Sequence, residues 1–186
     1  MKNLLLFACF IISSSSAFAQ TAFTQTNNDV KLVDGKAVPT VTLYTEKDFK
    51  QSKFGVNVFT LVTQGWAEAL VGPYYRINKS STIGISAGLE TSTKNLRLGS
   101  SFTYLGEKTS LLMFLEKGNG NDNYWYSVSG TYQSKKMIYG VMAQRFYGVG
   151  PTVGYNLSES ITLTGAPLYD IEEKKLKPTV FLKIVL

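Results

Sequence analysis

Residues 82–104 alternate apolar with small or polar side chains almost without interruption, and this period of two limits what the chain can fold into. Ile83, Ile85, Ala87 and Leu89 share one parity, and Thr82, Gly84, Ser86, Gly88 and Glu90 the other. After a turn at Glu90-Thr91-Ser92-Thr93-Lys94, Leu96, Leu98, Ser100, Phe102 and Tyr104 oppose Arg97, Gly99, Ser101 and Thr103. Successive side chains of a strand point to opposite faces, so the pattern predicts two β-strands with one greasy face and one small, polar face.

The pattern extends along the chain. Residues 38–45 alternate Val41 and Leu43 against Thr40, Thr42 and Tyr44, which predicts a first strand. Residues 54–63 are β-rich, and after the Gln64-Gly65 turn Ala67, Ala69, Val71, Pro73, Tyr75 and Ile77 oppose Glu68, Leu70, Gly72, Tyr74 and Arg76. Pro73 is awkward there, because a proline usually demotes a strand to an edge or a bulge. Beyond Gly106, Leu111, Met113 and Leu115 share a face, and residues 118–122 form the clearest turn. Tyr124, Tyr126, Val128, Gly130 and Tyr132 then oppose Trp125, Ser127, Ser129, Thr131 and Gln133. Residues 137–147 are apolar at both parities, and Gly148-Val149-Gly150 reads as a turn or as a bend inside one long strand. The last segment alternates Pro178, Val180, Leu182, Ile184 and Leu186 with Thr179, Phe181, Lys183 and Val185. The expectation is an all-β, antiparallel up-and-down barrel of about ten strands, within a range of about eight to twelve. It occupies residues 38–186, behind a flexible leader at 20–37 that is polar and rich in Thr and Asn.

The N-terminus reads as an address. Lys2 precedes an apolar run from Leu4 to Ile12, and Ala17-Phe18-Ala19 supplies the small-x-small pattern that signal peptidase reads before Gln20, so residues 1–19 are expected to be a secretory signal peptide. The run is too short to span about 30 Å of hydrocarbon. Cys9 loosely fits a lipobox, but acylation there would leave almost no apolar region ahead of it. With Cys9 removed the mature chain has no disulfide and no thiolate ligand. The formal charge of +6 falls to +5 with the loss of Lys2. The remaining lysines are scattered, many in turns, so the basic balance points to solvated loop ends and not to nucleic acid.

A soluble barrel buries its apolar face and shows water long charged residues. Here the polar face is mostly Gly, Ser and Thr, which suits a crowded interior, and the apolar face carries Tyr75, Tyr104, Tyr124, Tyr132 and Tyr155 near strand ends, where a membrane barrel keeps its interfacial aromatics. The expected orientation is therefore apolar side outward, in contact with outer-membrane lipid. The alternative is a soluble, exported, lipocalin-like barrel that holds an apolar ligand against an inward greasy face.

On these features the chain resembles the small bacterial outer-membrane β-barrels. The resemblance covers nearly all of the mature sequence as a pattern: signal peptide, amphipathic meander, short turns and a final alternating strand. It implies location in the cell outer membrane and a C-terminal strand engaged by the barrel-assembly machinery. In that family the last strand normally ends in an aromatic residue, whereas this chain ends in Leu186 with Phe181 further back.

The chain contains no histidine. The outer-membrane proteases, lipases and acyl-modifying enzymes considered for this architecture rely on a histidine base, and nucleophilic triads and typical zinc sites are likewise excluded. The sequence therefore gives no catalytic residue, cofactor or metal site. Glu68, Glu90 and Glu116 invite a carboxylate-pair reading, but with Arg76 and Arg97 on the same face the expectation is a charge network inside the lumen, since buried charges need partners. A barrel of this size is largely filled by its own side chains. The function expected is a non-enzymatic structural barrel or narrow channel, with no statement about oligomeric state.

Overall fold

The computed structural model describes residues 22–33, 36–91 and 96–185, which form twelve antiparallel strands and close into one barrel. In chain order they are β1 Ala22–Val33, β2 Lys36–Asp48, β3 Phe54–Thr63, β4 Trp66–Asn78, β5 Ser81–Glu90 and β6 Leu96–Leu105. There follow β7 Thr109–Lys117, β8 Tyr124–Ser134, β9 Met137–Gln144, β10 Gly148–Asn156, β11 Ile161–Asp170 and β12 Lys175–Val185. Each strand pairs with its sequence neighbour, and β1 pairs with β12 to close the ring. Closure leaves no strand edge unpaired, the condition a sheet must meet to sit in hydrocarbon.

Two features bring the count to twelve. Residues 22–33 were expected to belong to a flexible leader; instead they form β1, paired from Gln25↔Val185 to Lys31↔Thr179 on one side and from Ala22↔Lys47 to Val33↔Lys36 on the other. Thr24 to Asp29 are polar at both parities, so no alternation announces a strand there, and pairing with the flanking edges of β2 and β12 imposes one. The chain does reverse near the glycines, but just ahead of them: residues 145–147 form the turn, with Phe146 at φ 69°, and Gly148-Val149-Gly150, Gly148 at φ 118°, open β10. The expected signal peptide and Leu186 lie outside the described residues.

The faces run as the alternation requires. Ile85 is 64% exposed and Leu98 57%, while Thr82, Ser86, Glu90, Arg97 and Thr103 are buried. Apolar side chains therefore face outward, which overturns the soluble lipocalin-like alternative with its inward greasy face. Tyr75, Tyr104, Tyr132, Tyr139 and Tyr155 are exposed and cluster toward the end of the barrel where β1 begins and β12 ends; Tyr124 and Tyr169 stand toward the opposite mouth.

Pro73 is accommodated inside β4 without an edge. The ladder between β4 and β5 passes from Val71↔Ala87 to Tyr74↔Gly84, so Gly72 and Pro73 have no partners in β5. At Gly72 the β5 backbone approaches so closely that a Cβ would lie 1.9 Å from the Ile85 carbonyl oxygen.

Candidate functional site

The register delivers four of the five expected network residues to one level of the bore. Glu68 on β4 stands directly opposite Glu90 on β5, while Gly88 is opposite Arg97 and Gly99 opposite Glu116, which puts each charge diagonal to the next on the inner face. Arg97 is 2% exposed. Its Nε lies 3.0 Å from both Glu68 Oε2 and Glu116 Oε2, and its Nη1 lies 3.5 Å from Glu90 Oε2. Nη1 also donates to Asn123 Oδ1 in the turn after β7. Trp66 Nε1 donates to Glu90 Oε2 at 2.7 Å, and the Trp66 ring lies 5.7 Å from the guanidinium. Three carboxylates thus surround one cation. Both oxygens of Glu68 and Oε1 of Glu116 lack a hydrogen-bond donor, even though Glu68 Oε2 lies at ion-pair distance. The 3.0 Å contact lacks hydrogen-bond alignment, and the cluster sets three carboxyl groups around one guanidinium.

Arg76 does not join them. It lies near the opposite end of the bore, where Nη2 donates to both Asp48 oxygens at 2.7 and 3.0 Å, beside Tyr74, whose hydroxyl also donates to Asp48. Nearby, Tyr44 donates to Glu46 at 2.7 Å and Thr82 to the same carboxylate at 3.2 Å.

Sequence reading missed a third network because its members lie far apart in the chain. Arg145, 4% exposed, sits in the turn between β9 and β10 and is held by Asp122 at 2.7 Å, Glu172 at 3.0 Å and the carbonyls of Asp122 and Tyr124. Burial alone would lower its pKa, but the two carboxylates outweigh that and hold it above the ordinary arginine value. Beside it, Lys177 is paired with Asp170 and Glu173 and donates to the Phe146 carbonyl.

Apolar side chains cross the bore between these charges. The ring of Phe59 on β3 packs 4.5 Å from that of Phe114 on β7 and 6.0 Å from that of Trp125 on β8, forming a chord that joins strands far apart around the ring. Leu61 and Leu70 complete this cluster. A second chord comes from the β9–β10 turn, where the Tyr147 hydroxyl donates to Thr40 Oγ1 of β2 at 2.8 Å and the Tyr147 ring stacks on Phe181. Met142, Ala166 and Leu168 back this chord. The inward Met142 explains why residues 137–147 read as apolar at both parities.

The aromatic chord lies between two cavities. One, of about 660 Å³, opens at the mouth opposite the start of β1 and is lined by Trp66, Arg97, Trp125, Arg145, Tyr147 and the turn around Asn123, among others. The other, of about 260 Å³, lies deeper, and its walls are rich in Ser and Thr hydroxyls. Trp125 borders both.

No protein-family model and no curated protein matches the chain in sequence. Solved structures match it in shape. Outer membrane phospholipase A from Escherichia coli aligns with a TM-score of 0.51 and 10% identity, over 90% of both chains. KdgM porin in complex with disordered oligogalacturonate aligns at 0.50 and 10% identity, over 88% of this chain and 98% of the porin. The fold is that of the outer-membrane β-barrels. A further match, from work on in-meso crystallization of membrane proteins, has a TM-score of 0.59 at 10% identity, over 88% of this chain and 83% of that one. At such identities the likeness speaks for the fold alone.

Proposed function

We propose that this chain is a non-enzymatic integral barrel of a bacterial outer membrane whose narrow lumen passes small solutes. The observation that carries the reading is an apolar exterior around a bore crossed by the Phe59, Phe114 and Trp125 rings. A barrel built only for anchorage has no need of a mouth cavity of about 660 Å³ above a second cavity, whereas a solute path does. In this reading residues 1–19 are removed on export, and the C-terminal strand β12 engages the barrel-assembly machinery. The described network of Glu68, Glu90, Arg97 and Glu116 braces the lumen.

A non-catalytic role is supported by chemistry. The phospholipase neighbour is an enzyme, but this sequence has no histidine to act as base. The KdgM porin neighbour is described with oligogalacturonate, a polyanion; around Arg97 the present chain sets three carboxylates against one cation.

The test is recovery of the full chain from the outer membrane of a Gram-negative host, with different gel mobilities for boiled and unboiled samples, followed by recording in planar bilayers. Wild type should give conductance well below that of a porin with about 16–18 strands. Replacing Phe59 and Trp125 by Ala should raise it. Recovery as a soluble periplasmic protein would refute the membrane reading, and absence of conductance from both wild type and variant would reduce the role to a structural one.

A further inference from the structure

We infer that the mouth cavity is a binding site for uncharged oligosaccharide. Its volume of about 660 Å³ falls within the roughly 300–1,000 Å³ range of small-molecule sites. Trp125 and Tyr147 are among its walls, while Asn119, Asp122 and Asn123 stand at the rim. A pyranose has the same division: C–H groups that lie against an aromatic face, and a girdle of hydroxyls that hydrogen-bond to amides and carboxylates.

The pairing of the wall cations argues against an anionic ligand. An anion needs a cation with bonds to spare, yet Arg97 is surrounded by Glu68, Glu90 and Glu116, and Arg145 is held by Asp122 and Glu172. Guanidinium groups already cover three rings at the mouth, Arg145 lying 3.9 Å over Tyr124 and 4.7 Å over Phe146 and Arg97 5.7 Å from Trp66, which leaves Trp125 and Tyr147 as the aromatic walls for a ligand. Below the aromatic chord, the deeper cavity is lined by hydroxyls, among them Thr42, Ser101, Thr103, Ser127, Thr131 and Thr162, with Lys183 as its one charged side chain among the described residues. These suit the hydroxyls of the same solute. The inference rests on the channel reading for where a bound sugar goes, and on the cavity alone for its binding.

The sequence contains two tryptophans, and both line this cavity, so intrinsic fluorescence reports on it directly. The full chain, folded in detergent micelles, is titrated with maltotriose and with trigalacturonate. Maltotriose should shift the emission with a Kd on the order of 1 mM, and trigalacturonate should bind at least about tenfold more weakly. Trp125→Leu should weaken maltotriose binding by about tenfold or more, read from Trp66. Asn119→Ala, at an exposed position of the turn that lines the cavity, provides a second variant with the same expected direction if Trp125→Leu does not fold, as judged by gel mobility. Equal or tighter binding of trigalacturonate would overturn the inference, as would no shift with maltotriose up to about 50 mM. Conductance without sugar binding would refute the inference and leave the channel reading standing; sugar binding without conductance would do the reverse.

Discussion

Placing an arginine on the outer belt separates a lipid-facing barrel from one surrounded by water, because the two environments make different demands at equal exposure. Ile85 is 64% exposed near the middle of β5, a strand of ten residues, and Leu96 is 57% exposed at the mouth end of β6. At about 3.3 Å rise and a tilt near 40°, ten residues climb roughly 25 Å, the height of an apolar belt. Ile85 therefore sits close to mid-bilayer and Leu96 close to the interface. In lipid, Ile85→Arg should cost about 2–4 kcal/mol and Leu96→Arg about 0–1 kcal/mol. In water, two surface substitutions of similar exposure should each fall within about 0.5 kcal/mol of wild type. The assay is reversible urea unfolding from phosphatidylcholine vesicles, followed by tryptophan fluorescence. Equal costs for the two variants, within about 0.5 kcal/mol, would refute the assignment of the outer face to lipid.

Three further outcomes follow from the interior and the turns. Arg97→Leu leaves three buried carboxylates without their cation and should destabilise the barrel by about 3–5 kcal/mol, with part of the loss recovered by adding Glu68→Gln and Glu116→Gln; urea titrations measure both. Gly72→Ala sets a methyl group 1.9 Å from a backbone carbonyl of β5, so the heat-modifiable folded band should be lost. Hydrogen bonds from Lys175, and next from Lys177, hold the Glu173 carboxyl below its usual pKa, so its contribution is present at neutral pH and is lost as pH falls past the ordinary glutamate value of about 4.3. Glu173→Gln should therefore lower stability at pH 7 and make no difference in acid, as measured by unfolding at both pH values.

Within the described residues, most of the strands and their faces were legible because each strand meets two different surroundings, and alternation records that difference residue by residue. Ile83 and Ile85 against Thr82 and Ser86 is a local signal that needs no knowledge of partners. The inward placement of Glu68, Glu90, Arg97 and Glu116 follows from the same parity. What parity cannot supply is height along the bore, which depends on position along each strand and on the stagger between neighbouring strands. Arg76 stands eight residues beyond Glu68 on β4, which by itself carries it to the far end with Asp48, and alternate turns at one mouth bring together Arg145, Asp122 and Glu172. β1 lay beyond local reading for a related reason: a polar strand with no alternation is held by the edges of β2 and β12, and those edges exist only once the sheet has curled round to meet itself.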